Sequence, residues 1–365
     1  MAGEATGLNW IPEPADATGI KADFYSDMKT KPTEAMLRAL LNAEVGDEQK
    51  GEDPTTNALC DRVAELTGKE AATLLPTGTM CNEIALRVHC DPGDEVICDR
   101  SCHIVNFEAG GPAALSGVMI NPLDGENGMF TVDQVRQAIR PASRYAPTSR
   151  LLAVEQTTNL GGGGVWPLKQ LTDVAELAKS RGLSTHMDGA RLFNATVQSG
   201  IAARDYAKPF DSIWIDLTKG LGSFAGAVLA GSRAFIKEAW KLKQQWGGGL
   251  RQSGYIAATG LYALDHHIDR LAEDHALARS IGENIASMDN VEKVLPVETN
   301  IVIFEISRNG PTAAEVVASM LRHGVRLGVF GDRTIRIVCH LDVGPADGAL
   351  LCRHLPDALR GVGTA

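Results

Sequence analysis

"STHMDGARLFN", residues 184–194, ends a strand-like run with Asp188 and continues through a Gly-Ala pair to Arg191. The run before the aspartate, residues 183–187, has the pattern of a short strand buried on both faces. Ligands of α/β proteins bind at the carboxyl ends of parallel strands, so a charged pair at this point is a candidate binding site. A turn that carries a solvated ion pair is the alternative, and it needs no function.

The chain around this segment alternates between helix-period and strand-like stretches. Strand-like runs are found at residues 71–76, 95–99, 150–155, 183–187, 212–216 and 226–231. Helical patterns cover residues 33–43, 55–68, Thr79 to about Val88 and Leu168 to Arg181, the last with Leu171, Val174, Ala175 and Ala178 on one face. Strand, turn, helix and strand in succession indicate the α/β class with a mostly parallel central sheet.

The sequence pattern changes after residue 261. A long helix with Ile281, Ile285 and Met288 on one face precedes strand-like residues 300–307, a helix at 312–324, a strand at 335–340 and a last helix. We therefore predict an N-terminal arm and large domain in residues 1–265 and a smaller C-terminal α/β domain in residues 266–365.

Composition argues against several classes of protein. The 365 residues are 44% hydrophobic, which is enough for a large core and two domains. The 45 acidic and 35 basic residues give a net charge of -10 without a basic cluster, so we expect neither nucleic acid nor a membrane as a partner. The N-terminus carries no basic and apolar leader, and no apolar run is long enough to span a membrane, which predicts a cytoplasmic protein.

The seven cysteines form no C-x-x-C pair, and their odd number in a chain of this length predicts reduced thiols. Cys98, Cys102 and His103 lie close together in sequence, but they lack a fourth ligand and the usual spacing of a zinc site. We therefore predict no bound metal.

Polar residues follow three of the predicted strands. Thr77-Gly78-Thr79 opens a helix, where free N–H groups, a flexible glycine and two hydroxyls make a phosphate cradle; an ordinary threonine cap is the alternative. Asp188 can pair with a protonated ring nitrogen. Lys219 lies among small residues, where a buried amine acts as a nucleophile; a lone surface lysine is the alternative. Together these are the parts that pyridoxal 5'-phosphate (PLP) needs.

Six segments of the chain resemble, in order and spacing, the L-threonine aldolase family of fold-type I PLP enzymes. They are "GEDPTTNALCDRVAELTGKEAATLLPTGTMCNEIAL", "CHIVNFEAGG", "HMDGARLFNA", "FDSIWIDLTKGLGSFAGAVLAG", "GGGLRQSG" and "IRIVCHLDV". The resemblance covers roughly residues 23–342. It implies the fold-type I PLP-dependent transferase fold, with a mostly parallel central sheet and a smaller C-terminal α/β domain.

The resemblance also implies how this chain holds its cofactor. Lys219 would bind PLP as an imine, and Asp188 would face the pyridine nitrogen and keep it protonated. His103 would lie over the ring face, in position for proton transfer, although a single histidine is more often structural. The phosphate would be bound by Thr77, Gly78 and Thr79.

Substrate binding is implied in the same way. Arg191 would hold the ring or the substrate carboxylate, and Ser26 and Arg336 would bind the α-carboxylate, for which a guanidinium fork is suited. Arg251, after the triple glycine, would reach the cofactor phosphate of a neighbouring subunit. The protein would then be a homodimer or homotetramer with shared active sites.

The activity that the resemblance implies is cleavage of a β-hydroxy-α-amino acid to glycine and an aldehyde. Threonine, allo-threonine, phenylserine and β-hydroxyaspartate are substrates of this type. A PLP-dependent β-eliminating lyase or racemase on the same frame is one alternative, because the Asp188 and Lys219 pair serves all of these reactions. A PLP-binding protein without catalysis is another.

Three positions depart from the family pattern. Thr158 stands where the family has a histidine near the substrate β-hydroxyl, Lys50 where it has a tyrosine, and Gln244 where it has a lysine. We expect Thr158 and Lys50 at the side-chain end of the substrate. A lysine there favours an acidic or strongly polar β-substituent, whereas a solvated Lys50 without a role is the alternative.

Overall fold

The computed structural model of the chain describes residues 19–361. The expectation that the N-terminus lacks a leader concerns residues that lie outside this range. No helix in the described range is both long and apolar enough to cross a membrane.

Strands and helices alternate along the chain, as the sequence pattern predicts. The strands are β1 (Ala22–Asp23), β2 (Ala71–Leu75), β3 (Glu95–Asp99), β4 (Met119–Leu123), β5 (Ser149–Glu155), β6 (Ser184–Gly189), β7 (Ser212–Asp216), β8 (Ala227–Gly231), β9 (Val291–Val294), β10 (Ile301–Ile306), β11 (Val325–Arg326), β12 (Gly328–Val329) and β13 (Thr334–Val338). The α-helices are α1 (Glu34–Leu41), α2 (Pro54–Thr67), α3 (Gly78–His89), α4 (His103–Asn106), α5 (Val132–Ala138), α6 (Leu168–Ser180), α7 (Leu192–Ser199), α8 (Ala203–Ala207), α9 (Arg233–Gln245), α10 (Gly254–His266), α11 (Leu271–Ala286), α12 (Ala313–Arg322) and α13 (Pro345–Leu359). Short single-turn helices cover Asp27–Lys29, Glu48–Lys50 and Pro112–Ser116.

The central sheet in the described part of the chain has seven strands in the order β2-β8-β7-β6-β5-β3-β4. The pairs from β7 through β4 are parallel, and β8 runs antiparallel to both β7 and β2. The predicted fold class, α/β with a mostly parallel central sheet, is therefore confirmed. Register aligns Glu155 of β5 with Asp188 of β6, and Asp188 with Trp214 of β7, so the carboxyl ends of these three strands meet at one edge.

Helices cover the sheet with one apolar face each. The predicted face of α6, formed by Leu171, Val174, Ala175 and Ala178, is fully buried in the main core. Burial of a leucine or valine side chain contributes about 1.5–3 kcal/mol, so this face holds the helix on the sheet. Helix α3 begins directly after β2 because the side chain of Thr77 accepts a hydrogen bond from the N–H of Met80 at 3.2 Å and caps it.

A second hydrophobic core lies around the C-terminal elements. The sheet β12-β13-β10-β9 is antiparallel and packs against α11 and α12, and α13 packs against these two helices. Strand β1 pairs in parallel with β11, and Ala22 and Phe24 are part of this second core. Residues 22–24, which the sequence analysis places with the large domain, therefore pack with C-terminal elements. The boundary near residue 265 stays a prediction.

Candidate active site

A cavity of about 630 Å³ lies at the carboxyl ends of β5, β6 and β7. Three acidic residues at these strand ends, Glu155, Asp188 and Asp216, line it. Trp214, two residues before Asp216 on β7, lines it as well, because side chains of a strand point to the same face at every second position. The cavity is at the sheet edge where the strand-end pattern predicts ligand binding.

Lys219 lies in the loop after β7 and is held in the cavity by Asp216. Its Nζ is 2.5 Å from Oδ2 of Asp216 and 5.6 Å from the centre of the Trp214 ring. The other carboxylate oxygen, Oδ1, accepts hydrogen bonds from the N–H and hydroxyl of Thr218 at 2.9 and 2.6 Å. The loop therefore fixes the carboxylate, and the carboxylate fixes the amine.

Asp188 is nearly buried and is held by two donors. Its Oδ2 accepts from the side-chain amide of Asn82 at 2.9 Å, and its Oδ1 accepts from the N–H of Ala190 at 3.1 Å. The Asn82 oxygen accepts in turn from Nε1 of Trp214 at 2.7 Å and from Nε2 of His186 at 3.2 Å. Because the Asn82 nitrogen donates, its oxygen must accept, which assigns the proton on His186 to Nε2.

The turn between β2 and α3 brings Thr77, Gly78 and Thr79 to the cavity. A Cβ on Gly78 would lie 2.2 Å from the Trp214 ring, so glycine is needed here for the helix to approach the cavity floor. The first N–H groups of α3 have few intrahelical partners and carry a partial positive charge. The turn is therefore suited to an anion such as a phosphate group.

His103, at the start of α4, lines the cavity beside Phe107. Its Nδ1 is 2.8 Å from Oε1 of Glu108. Burial lowers the pKa of His103, but the hydrogen bond to Glu108 and the negative charge of Asp188 outweigh burial, so the pKa is raised. With Nδ1 bonded to the carboxylate, Nε2 is the ring nitrogen that can exchange a proton in the cavity.

Arg191 is already paired. Its Nε and Nη2 donate to the two carboxylate oxygens of Asp27 at 2.7 and 2.8 Å, and both side chains are buried. Burial acts to raise the pKa of Asp27, but the charge and hydrogen bonds of Arg191 hold it well below its usual range. Asp27 follows Ser26, which is buried and lines the cavity. Arg191 therefore lines the cavity, with its charge balanced by a residue that the sequence analysis did not single out.

Arg336 has no carboxylate partner among the described residues. Its Nη1 donates to Oδ1 of Asn159 at 2.7 Å, its Nη2 donates to the carbonyl of Tyr25, and its Nε is buried without an acceptor. Burial and the nearby charge of Arg191 lower the pKa of Arg336 to about 10. A buried guanidinium whose hydrogen-bond acceptors are both uncharged, and which has an unused N–H, is suited to a carboxylate ligand.

Glu155 is a cavity residue that the sequence analysis missed. Its Oε2 accepts from the N–H of Asn159 at 2.8 Å. Burial and the negative charge of the adjacent Asp188 raise the pKa of Glu155 to about 7. A carboxyl group that titrates near neutral pH is typical of a functional site.

Thr158 does not lie where the sequence analysis expects it. Thr157 and Asn159 line the cavity, whereas Thr158 is buried behind its wall against the loop of residues 161–164. The chain turns irregularly after β5 ends at Glu155, and this turn presents Thr157 and Asn159 to the cavity but not Thr158. The hydroxyl oxygen of Thr158 would be only 2.4 Å from a Cβ on Gly161. The placement of Thr158 at the substrate of this cavity is therefore wrong.

Lys50 and Arg251 lie together on the surface, outside this cavity. Arg251 donates to Asp47 at 3.0 Å, and Lys50 is exposed at the end of the short helix Glu48–Lys50. The carboxylate of Glu48 joins the two segments, because it accepts from the N–H of Leu250 and the hydroxyl of Ser253, and it is ion-paired with Lys243. Within one chain, therefore, neither Lys50 nor Arg251 reaches the predicted ligands.

The chain is similar to known proteins in sequence and in fold. The family model described as beta-eliminating lyase matches residues 23–309. The chain is 39% identical to the low specificity L-threonine aldolase of Escherichia coli (strain K12), over 91% of this chain and 97% of that protein. It is 37% identical to low-specificity L-threonine aldolase 1 of Arabidopsis thaliana, over 89% and 92% of the two chains. The fold is similar to that of Leishmania major threonine aldolase, with a TM-score of 0.77 at 19% identity over 94% and 100% of the two chains.

Proposed function

This chain belongs to the beta-eliminating lyase family, and from that premise we propose that it is a PLP-dependent aldolase. It cleaves a β-hydroxy-α-amino acid to glycine and an aldehyde, in line with its similarity to proteins named L-threonine aldolase. The observation that carries the proposal is the meeting of Lys219, Asp188 and the turn of Thr77 to Thr79 around one cavity. An amine, a carboxylate and an anion-binding helix start are the groups that PLP requires.

The residues of the cavity fit this cofactor. Lys219 would bind it covalently, Asp188 would face its ring nitrogen, and the start of α3 would bind its phosphate where Gly78 leaves room beside Trp214. When bound, PLP supplies an electron sink for the bond that breaks at Cα. His103 lies in the same cavity and would stack on the ring.

The chain's own residues orient the amino acid and handle its proton. Arg336 and Ser26 bind the α-carboxylate, because Arg336 has a guanidinium without an acidic partner. Arg191 stays paired with Asp27 and fixes the segment that carries Ser26. His103 accepts the β-hydroxyl proton at Nε2 as the aldehyde forms, and its contact with Glu108 stabilises the charge that the ring then carries.

Product analysis tests the proposal directly. Purified protein is incubated separately with threonine, allo-threonine, phenylserine and β-hydroxyaspartate, and glycine, aldehyde, ammonia and keto acid are measured. We expect glycine and aldehyde in equal amounts. Ammonia with a keto acid would instead identify a β-eliminating lyase, an inverted amino acid would identify a racemase, and bound cofactor without any product would identify a non-catalytic PLP-binding protein.

We also propose a homodimer or homotetramer in which Arg251 of one subunit reaches the cofactor phosphate of another. Support comes from the position of Arg251 on the surface, 62% exposed and outside the cavity of its own chain. A cytoplasmic location is proposed because the described chain contains free cysteines and no disulfide, as is usual in reducing compartments.

Lys50 would enter the neighbouring cavity together with Arg251, since Glu48 joins their segments. We expect Lys50→Tyr to shift kcat/KM away from β-hydroxyaspartate and toward threonine, because the substrate loses a charge-assisted contact worth about 1.5–3 kcal/mol, or roughly 10- to 100-fold. The two substrates are compared on parent and variant at the same salt concentration. Lys237→Tyr, at an exposed position of α9, is the matched control. If the ratio of kcat/KM for β-hydroxyaspartate to kcat/KM for threonine is the same in parent and Lys50→Tyr, Lys50 has no role in substrate selection.

A further inference from the structure

Two buried carboxyl groups, Glu83 of α3 and Glu108, lie together behind His103. Glu83 is 2% exposed and Glu108 is 5% exposed. Oε1 of Glu108 accepts from Nδ1 of His103 at 2.8 Å and from the amide of Asn82 at 2.7 Å. Through these bonds Glu108 connects the cavity histidine with the residue that holds Asp188.

The remaining oxygens of the two carboxyl groups have no donor from the described protein. Both oxygens of Glu83 and Oε2 of Glu108 are buried without a hydrogen-bond partner. Two adjacent buried carboxylates do not both stay ionised, because each raises the cost of charging the other. The two side chains are within hydrogen-bonding reach, so a proton on Glu83 would make it a donor to Glu108, whose Oε2 has no other donor among the described residues.

The hydrogen bonds assign the proton to Glu83, because Oε1 of Glu108 accepts from two donors whereas neither oxygen of Glu83 has a donor among the described residues. Burial first, and then the charge and hydrogen bond of Glu108, raise the pKa of Glu83 to about 9. The titratable groups around this part of α3 include Glu108 and His103 beside it, Glu155 of β5, His186 and Asp188 of β6, Asp216 of β7 and Lys243 of α9. Among these, Glu108 is the group that shifts Glu83.

We propose that Glu83 is a positioning residue, a neutral acid that donates its proton to Glu108 and so holds Glu108 as a singly charged, fixed acceptor for His103. Glu108 then presents Oε1 to His103 and Asn82 and Oε2 to Glu83. The geometry keeps the His103 proton on Nδ1 and leaves Nε2 for the cavity. The inference deepens the proposed function and rests on it only for the role given to His103.

Infrared spectroscopy of the holoenzyme tests the proton directly, without any turnover. A protonated carboxyl band is expected at pH 7.5 in the parent, lost as the pH rises through about 9 and missing from Glu83→Gln. The difference between parent and variant separates Glu83 from Glu155, whose pKa is about 7. Glu95→Gln is the matched control, because Glu95 is buried but ion-paired with Arg140. If parent and Glu83→Gln have the same carboxyl band, the proposal is overturned.

Measurements of turnover show whether Glu83 acts as a hydrogen-bond donor or only fills space. Glu83→Gln keeps a donor for Glu108 and is expected within about threefold of the parent kcat, whereas Glu83→Leu leaves Oε2 unsatisfied and should lose roughly 10-fold or more. The alkaline fall of kcat that comes from Glu83 should disappear in Glu83→Gln. Equal kcat and pH profiles in parent, Glu83→Gln and Glu83→Leu would contradict the positioning role.

Stability provides a readout that does not depend on the reaction. The pKa of Glu83 is raised in the folded protein from 4.5 to about 9, so the folded state binds the extra proton between these values. The free energy of unfolding must therefore fall as the pH rises through this window. We expect Glu83→Gln to gain stability relative to the parent as the pH rises, measured by urea unfolding at pH 5 and pH 9. A constant difference would contradict the inference, even if the protein proved not to be an aldolase.

Discussion

Replacing Lys219 with alanine is expected to abolish covalent attachment of PLP and to lower turnover by roughly 10⁴-fold or more. Among the described residues that line the cavity, Lys219 is the one lysine, and Asp216 holds its amine beside Trp214. No other cavity side chain of the described chain offers a primary amine to the cofactor carbonyl.

Borohydride reduction measures this loss, because it makes the bond between lysine and cofactor permanent. The parent should retain cofactor after reduction and denaturation, and mass spectrometry should find it on the peptide that contains Lys219. Lys219→Arg is the charge-matched control, since it keeps a cation opposite Asp216 but does not form the bond. Full retention of reduced cofactor by Lys219→Ala would show that the assignment is wrong.

The sheet and the position of the site were predictable because they depend on local patterns. Buried parallel strands are short apolar runs with turn residues on either side, and the predicted runs at 95–99 and 212–216 coincide with β3 and β7. Once these strands are parallel, their carboxyl ends share an edge. The approximate place of Asp188 and of the loop that carries Lys219 then follows without knowledge of any contact.

Partners that are distant in sequence were not predictable. Asp27 binds Arg191 across 164 positions, and Asn82 reaches Asp188 across 106. No local periodicity indicates such pairs, because a partner is selected by how separate elements pack. The Thr158 prediction failed for a related reason: residues 156–159 turn irregularly after β5, and no local pattern indicates which of their side chains face the cavity.

The sequence does contain a pattern that indicates two further site residues, Glu155 and Asp216. Glu155 ends "RLLAVE" and Asp216 ends "SIWID", each an acid directly after a buried strand, as Asp188 is in "STHMD". Treating all three acids alike would have found them. Asp216 holds the amine of Lys219 in place, and the pKa of Glu155 is raised to about 7.

Asp188→Asn is expected to bind PLP but to turn over roughly 10²-fold or more slowly than the parent. The carboxylate would stabilise the protonated ring nitrogen, and an amide carries no charge with which to do so. The fold should be preserved, because the amide has the same shape and its oxygen can keep one of the two hydrogen bonds that Asn82 and Ala190 donate. Cofactor absorbance and borohydride reduction check occupancy, and kcat measures the loss.

The same substitution has a second expected effect, on pH dependence. The negative charge of Asp188 raises the pKa of both Glu155 and His103, so its removal should lower both values. The ionisations seen in the pH profile of kcat/KM should therefore shift to lower pH in Asp188→Asn. Asp99→Asn is the matched control, since Asp99 is a buried aspartate at the end of the parallel strand β3 and does not line the cavity. Turnover within a factor of about two of the parent, with an unshifted profile, corresponds to well under 1 kcal/mol and would remove Asp188 from the site.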